Sequence, residues 1–151
     1  MTNALKKAWE EFVSPLLKRP ARVQVAALCS KGDGSEKRVL LITSRDTGRW
    51  ILPKGWPIDG MDAAHAAKQE AWEEAGVKGH VNNNPIGQFS YEKELDTGGV
   101  SRCDTSVFEV KVTELLEEFP EAEERTRKWV TPKEAANMVQ EPELSAILAA
   151  L

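Results

Sequence analysis

The chain has 151 residues and a formal charge of −4, with acidic and basic residues interleaved along its length. That length suits one domain with one full hydrophobic core, and the lack of a long basic run disfavours non-specific binding to nucleic acid. Two cysteines, Cys29 and Cys103, stand far apart in apolar, strand-like runs. A disulfide framework is therefore excluded, a cysteine-based zinc site is disfavoured, and both residues read as small buried hydrophobes.

In the first segment Leu5, Trp9, Phe12 and Val13 recur at helical spacing, and Pro15 and Pro20 end the pattern. This predicts an N-terminal helical extension over about residues 1–20, packed against the body. Lys6, Lys7, Glu10 and Glu11 interrupt it, so it lacks the apolar run of a signal peptide, and no later stretch reads as a membrane span. The expected setting is the reduced cytoplasm. Arg22–Cys29 and Arg38–Thr43 predict two strands joined by the polar loop Lys31–Lys37. Ser44–Gly48 is a turn, and Trp50–Leu52 a short strand. Pro53–Gly60, rich in glycine and proline, is a loop.

Asp62 is placed to cap a helix that Gly76 would stop. Beyond it, Val81–Tyr91 and Ser106–Val112 predict strands separated by a polar loop, Glu92–Asp104. Glu114–Arg127 is charged and predicts surface, and Trp129–Thr131 a last strand. Pro132 is suited to start a helix through about Val139, and Glu141–Leu151 adds another. No repeat or linker divides the chain, so residues 1–151 form one domain. The order of elements predicts an α/β fold, one mixed sheet flanked by helices.

The helix Asp62–Ala75 carries the chemistry. At ~100° per residue, Ala64, Ala67, Ala71 and Ala75 form one stripe. Having almost no side chains, they should let the helix lie close against the sheet. Glu70, Glu73 and Glu74 lie beside the stripe at i, i+3 and i+4. Like charges so placed destabilise an isolated helix by a few tenths of a kcal/mol per pair, a penalty that a hard divalent cation reverses. Ala63 and Ala66 are expected to flank this acidic face and leave room for ions and substrate. Three glutamates within five residues are, by themselves, more often a solvated face. Their sequence context changes that reading.

Gly55-x5-Met61-x7-Gln69-Glu70-Ala71-x-Glu73-Glu74-x-Gly76-Val77 follows the spacing of the Nudix box, G-x5-E-x7-R-E-U-x-E-E-x-G-U, where U is aliphatic. The chain thus resembles the Nudix hydrolases. Met61 and Gln69 replace the Glu and Arg that look like a bracing ion pair in the family. Losing both charges together need not be costly, whereas losing one would strand the other. Gly55-x4-Gly60 also has the glycine spacing of a P-loop, but Met61-Asp62 stand where Lys-Ser/Thr is required, so that reading fails.

Outside the box, Arg22–Cys29, Leu40–Pro53, Gly76-Val77-Lys78-Gly79, Val112–Glu117 and Arg125-Thr126-Arg127-Lys128-Trp129 resemble the diphosphoinositol polyphosphate phosphohydrolase branch. Lys54-Gly55-Trp56 stands where that branch has a glycine triplet, and Glu92–Asp104 is longer.

The resemblance implies an α/β/α sandwich around a mixed sheet and Mg²⁺ or Mn²⁺ held by the box glutamates. It implies hydrolysis of a diphosphate linkage in a phosphorylated small molecule, a dinucleoside polyphosphate or an inositol pyrophosphate before a mononucleotide or nucleotide sugar. The chain is expected to act as a monomer or homodimer. On this basis Glu73 and Glu74 are the expected metal ligands, and Glu70 either a third ligand or the group that orients water. Glu92 and Glu94 are candidates for a further ligand or base. Arg22, Arg45, Arg49, Lys54 and Arg102 are candidates for phosphate contacts. Trp56 either stacks on a base or covers the core.

Overall fold

The computed structural model describes residues 3–8 and 21–151. A helix α1 spans Asn3–Ala8; the predicted helical positions Trp9, Phe12 and Val13 lie outside the described residues. From Arg22 the order is β1 (Arg22–Lys31), a 3-10 turn at Gly34–Glu36, β2 (Arg38–Thr43), β3 (Trp50–Ile51), β4 (Lys54–Gly55), α2 (Ala63–Ala75) and β5 (Val77–Val81). Then follow β6 (Gly87–Glu94), β7 (Val100–Leu115), β8 (Arg127–Val130), α3 (Pro132–Met138) and α4 (Pro142–Ala149). All eight described strands join one mixed sheet. Its path is β3-β2-β1-β7-β5, with β4 on β1, β6 on β7 and β8 on β2. Among them only β1 and β7 run parallel, from Arg22 opposite Cys103 to Ser30 opposite Lys111.

Burial on both faces explains why β1 reads as a nearly unbroken apolar run and not as strict alternation. Val25, Ala27 and Cys29 pack under α2, together with Leu40, Ile42, Phe108 and Val110. Ala26 and Leu28 face the opposite core, which holds Phe89, Val107, Leu144 and Leu148. The predicted alanine stripe lies against the first core: Ala64, Ala67, Ala71 and Ala75 are all buried. Ala66, expected at the rim of an open site, is buried there too. Its place in the helix turns it toward the sheet, and Ala63 alone of that pair is exposed.

The ends of α2 follow from its sequence. Asp62 Oδ1 accepts the His65 N–H at 2.8 Å, the usual satisfaction of a free first-turn donor. Gly76 closes the helix at φ 67°. A side chain there would meet Phe119 and the Leu116 carbonyl as well as an unfavourable backbone. Pro132 starts α3 behind a capping box in which Thr131 and Glu134 exchange hydrogen bonds.

Two stretches depart from expectation. Val81–Tyr91 is broken by the loop at 82–86, where Asn82 Oδ1 accepts the Asn84 N–H and Pro85 offers no donor for a ladder. Glu92–Asp104 is no loop. Its strands pair from Gly87 opposite Val107 to Glu94 opposite Val100, and the chain reverses at Leu95–Gly99 with Gly98 at φ 86°. The tip of this hairpin is exposed; on its buried side stand the small residues Ser101 and Cys103, which give no run of large apolar side chains to read.

Candidate active site

A cavity of about 540 Å³ opens where β1, β4 and β6 meet the acidic face of α2. Glu70 and Glu74 form one wall. Glu74 is 7% exposed. Its Oε1 accepts the Lys54 N–H at 3.2 Å, and its Oε2 lies 3.4 Å from Arg125 Nη2. Burial holds its carboxyl above the ordinary range, while Arg125 and the Lys54 N–H pull the other way. Glu70 has no such partner. Burial, then the neighbouring Glu74 and Glu73 charges, push it up to about 8. Glu73 does not face the cavity; it accepts a 3.0 Å hydrogen bond from Gln69 Nε2. The residue that replaces the family arginine therefore holds one of the three box carboxylates.

The first glycine of the box has a steric reason. A methyl at Gly55 would overlap the Glu70 carboxyl carbon and Oε1, and stand 2.8 Å from Oε2. Gly55→Ala must displace that carboxyl, which sits at the free end of a flexible side chain. The fold should survive with Tm nearly unchanged, and kcat should fall by at least ~10-fold, since small misplacements of a reacting group are expensive. Retained kcat would show that the position of Glu70 does not matter.

Among the described residues no group of three His, Cys, Asp or Glu side chains is gathered as a ready cation cage. The donor set nevertheless suits a hard divalent cation. Glu70 and Glu74 share the wall with Glu121, whose charge bears on both, and oxygen is the ligand such ions require. Mutual repulsion at Glu70 is the state that a bound cation relieves.

Basic, aromatic and further acidic residues make up the rest of the lining. Arg45, Arg49, Lys54, Trp56, Glu92 and Glu94 all line the cavity. Arg49 makes a 2.6 Å ion pair with Glu141. The Lys54 ammonium lies 5.1 Å from the Tyr91 ring centroid, and burial, then Arg49, bring its pKa down to about 8. Trp56 is 38% exposed, at the mouth of the cavity and outside the core. Arg22 reaches the site through that ring, 5.8 Å from its centroid. Arg102 does not: it pairs with Asp104 and is 67% exposed.

Three lining residues escape the sequence reading. Gln24 accepts a hydrogen bond from the Tyr91 hydroxyl, and Lys93 lies 5.0 Å from the Trp56 centroid. Arg125 is buried, contrary to the surface reading of Glu114–Arg127, and donates to Glu121 Oε1 at 2.9 Å and to the Thr43 carbonyl at 3.0 Å. The one available signal was its place in the stretch Arg125–Trp129.

Residues 20–151 match the family model for the NUDIX domain. The chain is 38% identical over 106 residues to Nudix hydrolase 12, mitochondrial, of Arabidopsis thaliana, covering 66% of this chain and 51% of that protein. It is 31% identical over 119 residues to diphosphoinositol polyphosphate phosphohydrolase 3-alpha of Mus musculus, covering 78% and 68%. The chain spans about half the length of the Arabidopsis relatives it matches. A MutT protein from Methanosarcina mazei Go1 shares the fold at TM-score 0.62 and 21% identity, over 88% of this chain and 94% of that one. A C. elegans Ap4A hydrolase does so at TM-score 0.60 and 16% identity, over 86% and 95%. The chain belongs to the Nudix family. Among its described residues, no helix is long and apolar enough to cross a membrane.

Proposed function

We propose that the chain is a metal-dependent hydrolase that cleaves a diphosphate linkage in a densely phosphorylated small molecule, a dinucleoside polyphosphate or an inositol pyrophosphate. One observation carries this reading: one cavity is lined both by the carboxylates Glu70 and Glu74 and by the cations Arg49 and Lys54. A polyanion cannot approach the carboxylates unaided, and the cations are the right counterpart for its remaining phosphates. The branch likeness favours these two substrate classes over a mononucleotide or nucleotide sugar. Buried, unpaired Cys29 and Cys103 are in keeping with a reducing compartment such as the cytoplasm.

Glu70 and Glu74 would hold Mg²⁺ or Mn²⁺, with Glu73 joining by turning away from Gln69. The cation supplies polarisation of the phosphoryl oxygens and a more acidic water. The rest is the work of the chain. Gly55 lets the Glu70 carboxyl lie against the loop, where it would serve as a further ligand or orient the attacking water. The Lys54 N–H fixes the rotamer of Glu74, and the Lys54 ammonium meets the phosphates.

Chelation should abolish turnover, and added Mg²⁺ or Mn²⁺ should restore it across a panel of both substrate classes with nucleotide-sugar controls. The chelated protein should also show a pH signature. Because the Glu70 carboxyl is pushed up to about 8, its protonated form favours the fold. That stability is complete below the ordinary carboxylate range and is lost as pH rises toward 8. The cation competes with the proton, so Mg²⁺ should raise Tm more at pH 8 than at pH 6. Undiminished hydrolysis after verified metal removal, or a Mg²⁺ effect on Tm that ignores pH, would contradict the site.

A further inference from the structure

Five cations line the cavity: Arg45, Arg49, Lys54, Lys93 and Arg125. Three of them face carboxylates. Arg45 lies beside Glu121 and Glu124, Arg49 beside Glu141, and Arg125 between Glu74 and Glu121. Lys93 instead sits over an aromatic ring, Trp56, which Arg22 shares, and Lys54 sits over Tyr91 while also feeling the Glu141 and Glu74 charges. An aromatic face attracts a cation through its quadrupole and carries no net charge. A cation held this way is positioned without being neutralised, and its field remains available to an anion.

Trp56 therefore collects two cations that the sequence keeps far apart, one from the start of β1 and one from β6. Arg22 and Lys93 lie 5.8 and 5.0 Å from the same ring centroid, so an anion at the edge of that indole comes within range of both charges. Glu92 and Glu94 also line the cavity, but strand alternation directs them to the opposite face of β6 from Lys93. The indole is already engaged by cations, so a base stacking on it would have to compete with them.

We propose that Trp56, Lys93 and Arg22 form a distal anion subsite at the cavity mouth. It takes a phosphate group beyond the linkage cut at Glu70 and Glu74, and so selects substrates by how many phosphates they carry. This rests on the hydrolase reading above. The occupant is a phosphate, whether of a linear polyphosphate chain or on the rim of an inositol ring.

Calorimetry with the non-hydrolysable methylene-bridged analogues of pyrophosphate and tetrapolyphosphate, in Mg²⁺, tests the subsite without turnover. Wild-type protein should bind the longer anion more tightly. Lys93→Gln and Arg22→Gln should each lower that affinity ratio by about tenfold, the worth of one charge-assisted contact. Trp56→Phe, which keeps a π-face, should preserve the ratio, and Trp56→Leu should lose it; thermal melts check that each variant folds. An unchanged ratio in Lys93→Gln and Trp56→Leu overturns the subsite. So does a Trp56→Leu defect that is equal for nucleotides of every phosphate number and absent for the tetrapolyphosphate analogue, which is the mark of base stacking. Next, kcat/KM for dinucleoside tri-, tetra- and pentaphosphates and for an inositol pyrophosphate locates the occupant. Loss of length preference in the dinucleotide series assigns a chain phosphate, and loss in the inositol arm a ring phosphate. If wild-type protein hydrolyses none of them but keeps a Lys93-dependent ratio, the hydrolase reading falls and the subsite stands.

Discussion

Glu70→Gln and Glu74→Gln are each expected to lower kcat by at least ~100-fold, because on the mechanism proposed above each removes a charged oxygen that would hold the cation. Neither should unfold the protein. In Glu74→Gln the new amide oxygen can still accept the Lys54 N–H, and Arg125 keeps Glu121 as its partner. At Glu70 the neutral amide resembles the protonated carboxyl that the fold already favours. The metal-free Glu70→Gln protein should therefore melt no lower than wild type at pH 8. Glu73→Gln is expected to cost a comparable factor, although Glu73 rests against Gln69 in the structure. That contact is worth about 1.5–3 kcal/mol. A carboxylate about 4 Å from a doubly charged cation gains roughly 8 kcal/mol at an effective dielectric of ~20, twice the unit-charge value, before desolvation. On the proposed site this attraction is expected to draw the Glu73 side chain inward. Near-normal kcat in Glu70→Gln and Glu74→Gln would remove the proposed site; near-normal kcat in Glu73→Gln alone would show that Gln69 keeps it out.

The helix was legible because its determinants are local. Asp62, the alanine stripe and Gly76 act within a few turns of one another, and the structure puts the cap, the buried face and the left-handed stop where those residues stand. The purpose of Gly55 was not legible, since it depends on where the side chain of Glu70, in the next element of the chain, ends up. The same limit hid Arg125 and Lys93. A charged residue in a charged segment carries no local mark of burial, and Arg125 is buried only because the chain returns beside Thr43 and α2 as it enters β8. The hairpin after Glu92 was missed for a different reason: the small residues on its buried side, Ser101 and Cys103, give no large apolar alternation to read. Arg102 shows the converse error, an arginine near the site in sequence that pairs with Asp104 instead.

The absent brace of the box points to the second large effect. With Met61 39% exposed and Gln69 spent on Glu73, the charge that steadies the acidic wall comes from Arg125, which is 6% exposed at its side chain and reaches Glu74, Glu121 and the Thr43 carbonyl. Arg125→Met keeps an aliphatic stem but leaves Glu74 without its ion-pair partner and Glu121 with Arg45 at 3.5 Å. Breaking one partner out of a buried pair costs about 3 kcal/mol or more. For a chain of this size that is a fall in Tm of roughly 6–12 °C. The loss should depend on pH in a way that lost packing would not. Arg125 pulls the Glu74 carboxyl down against burial; without it, Glu74 takes up a proton more readily. The Tm deficit should thus be largest at high pH and shrink as pH falls, because the carboxyl that takes up a proton no longer needs a partner. Thermal melts of wild type and Arg125→Met from pH 5 to pH 8, both chelated, decide the matter. A deficit of the same size at every pH would mean that Arg125 acts only as a filler of space.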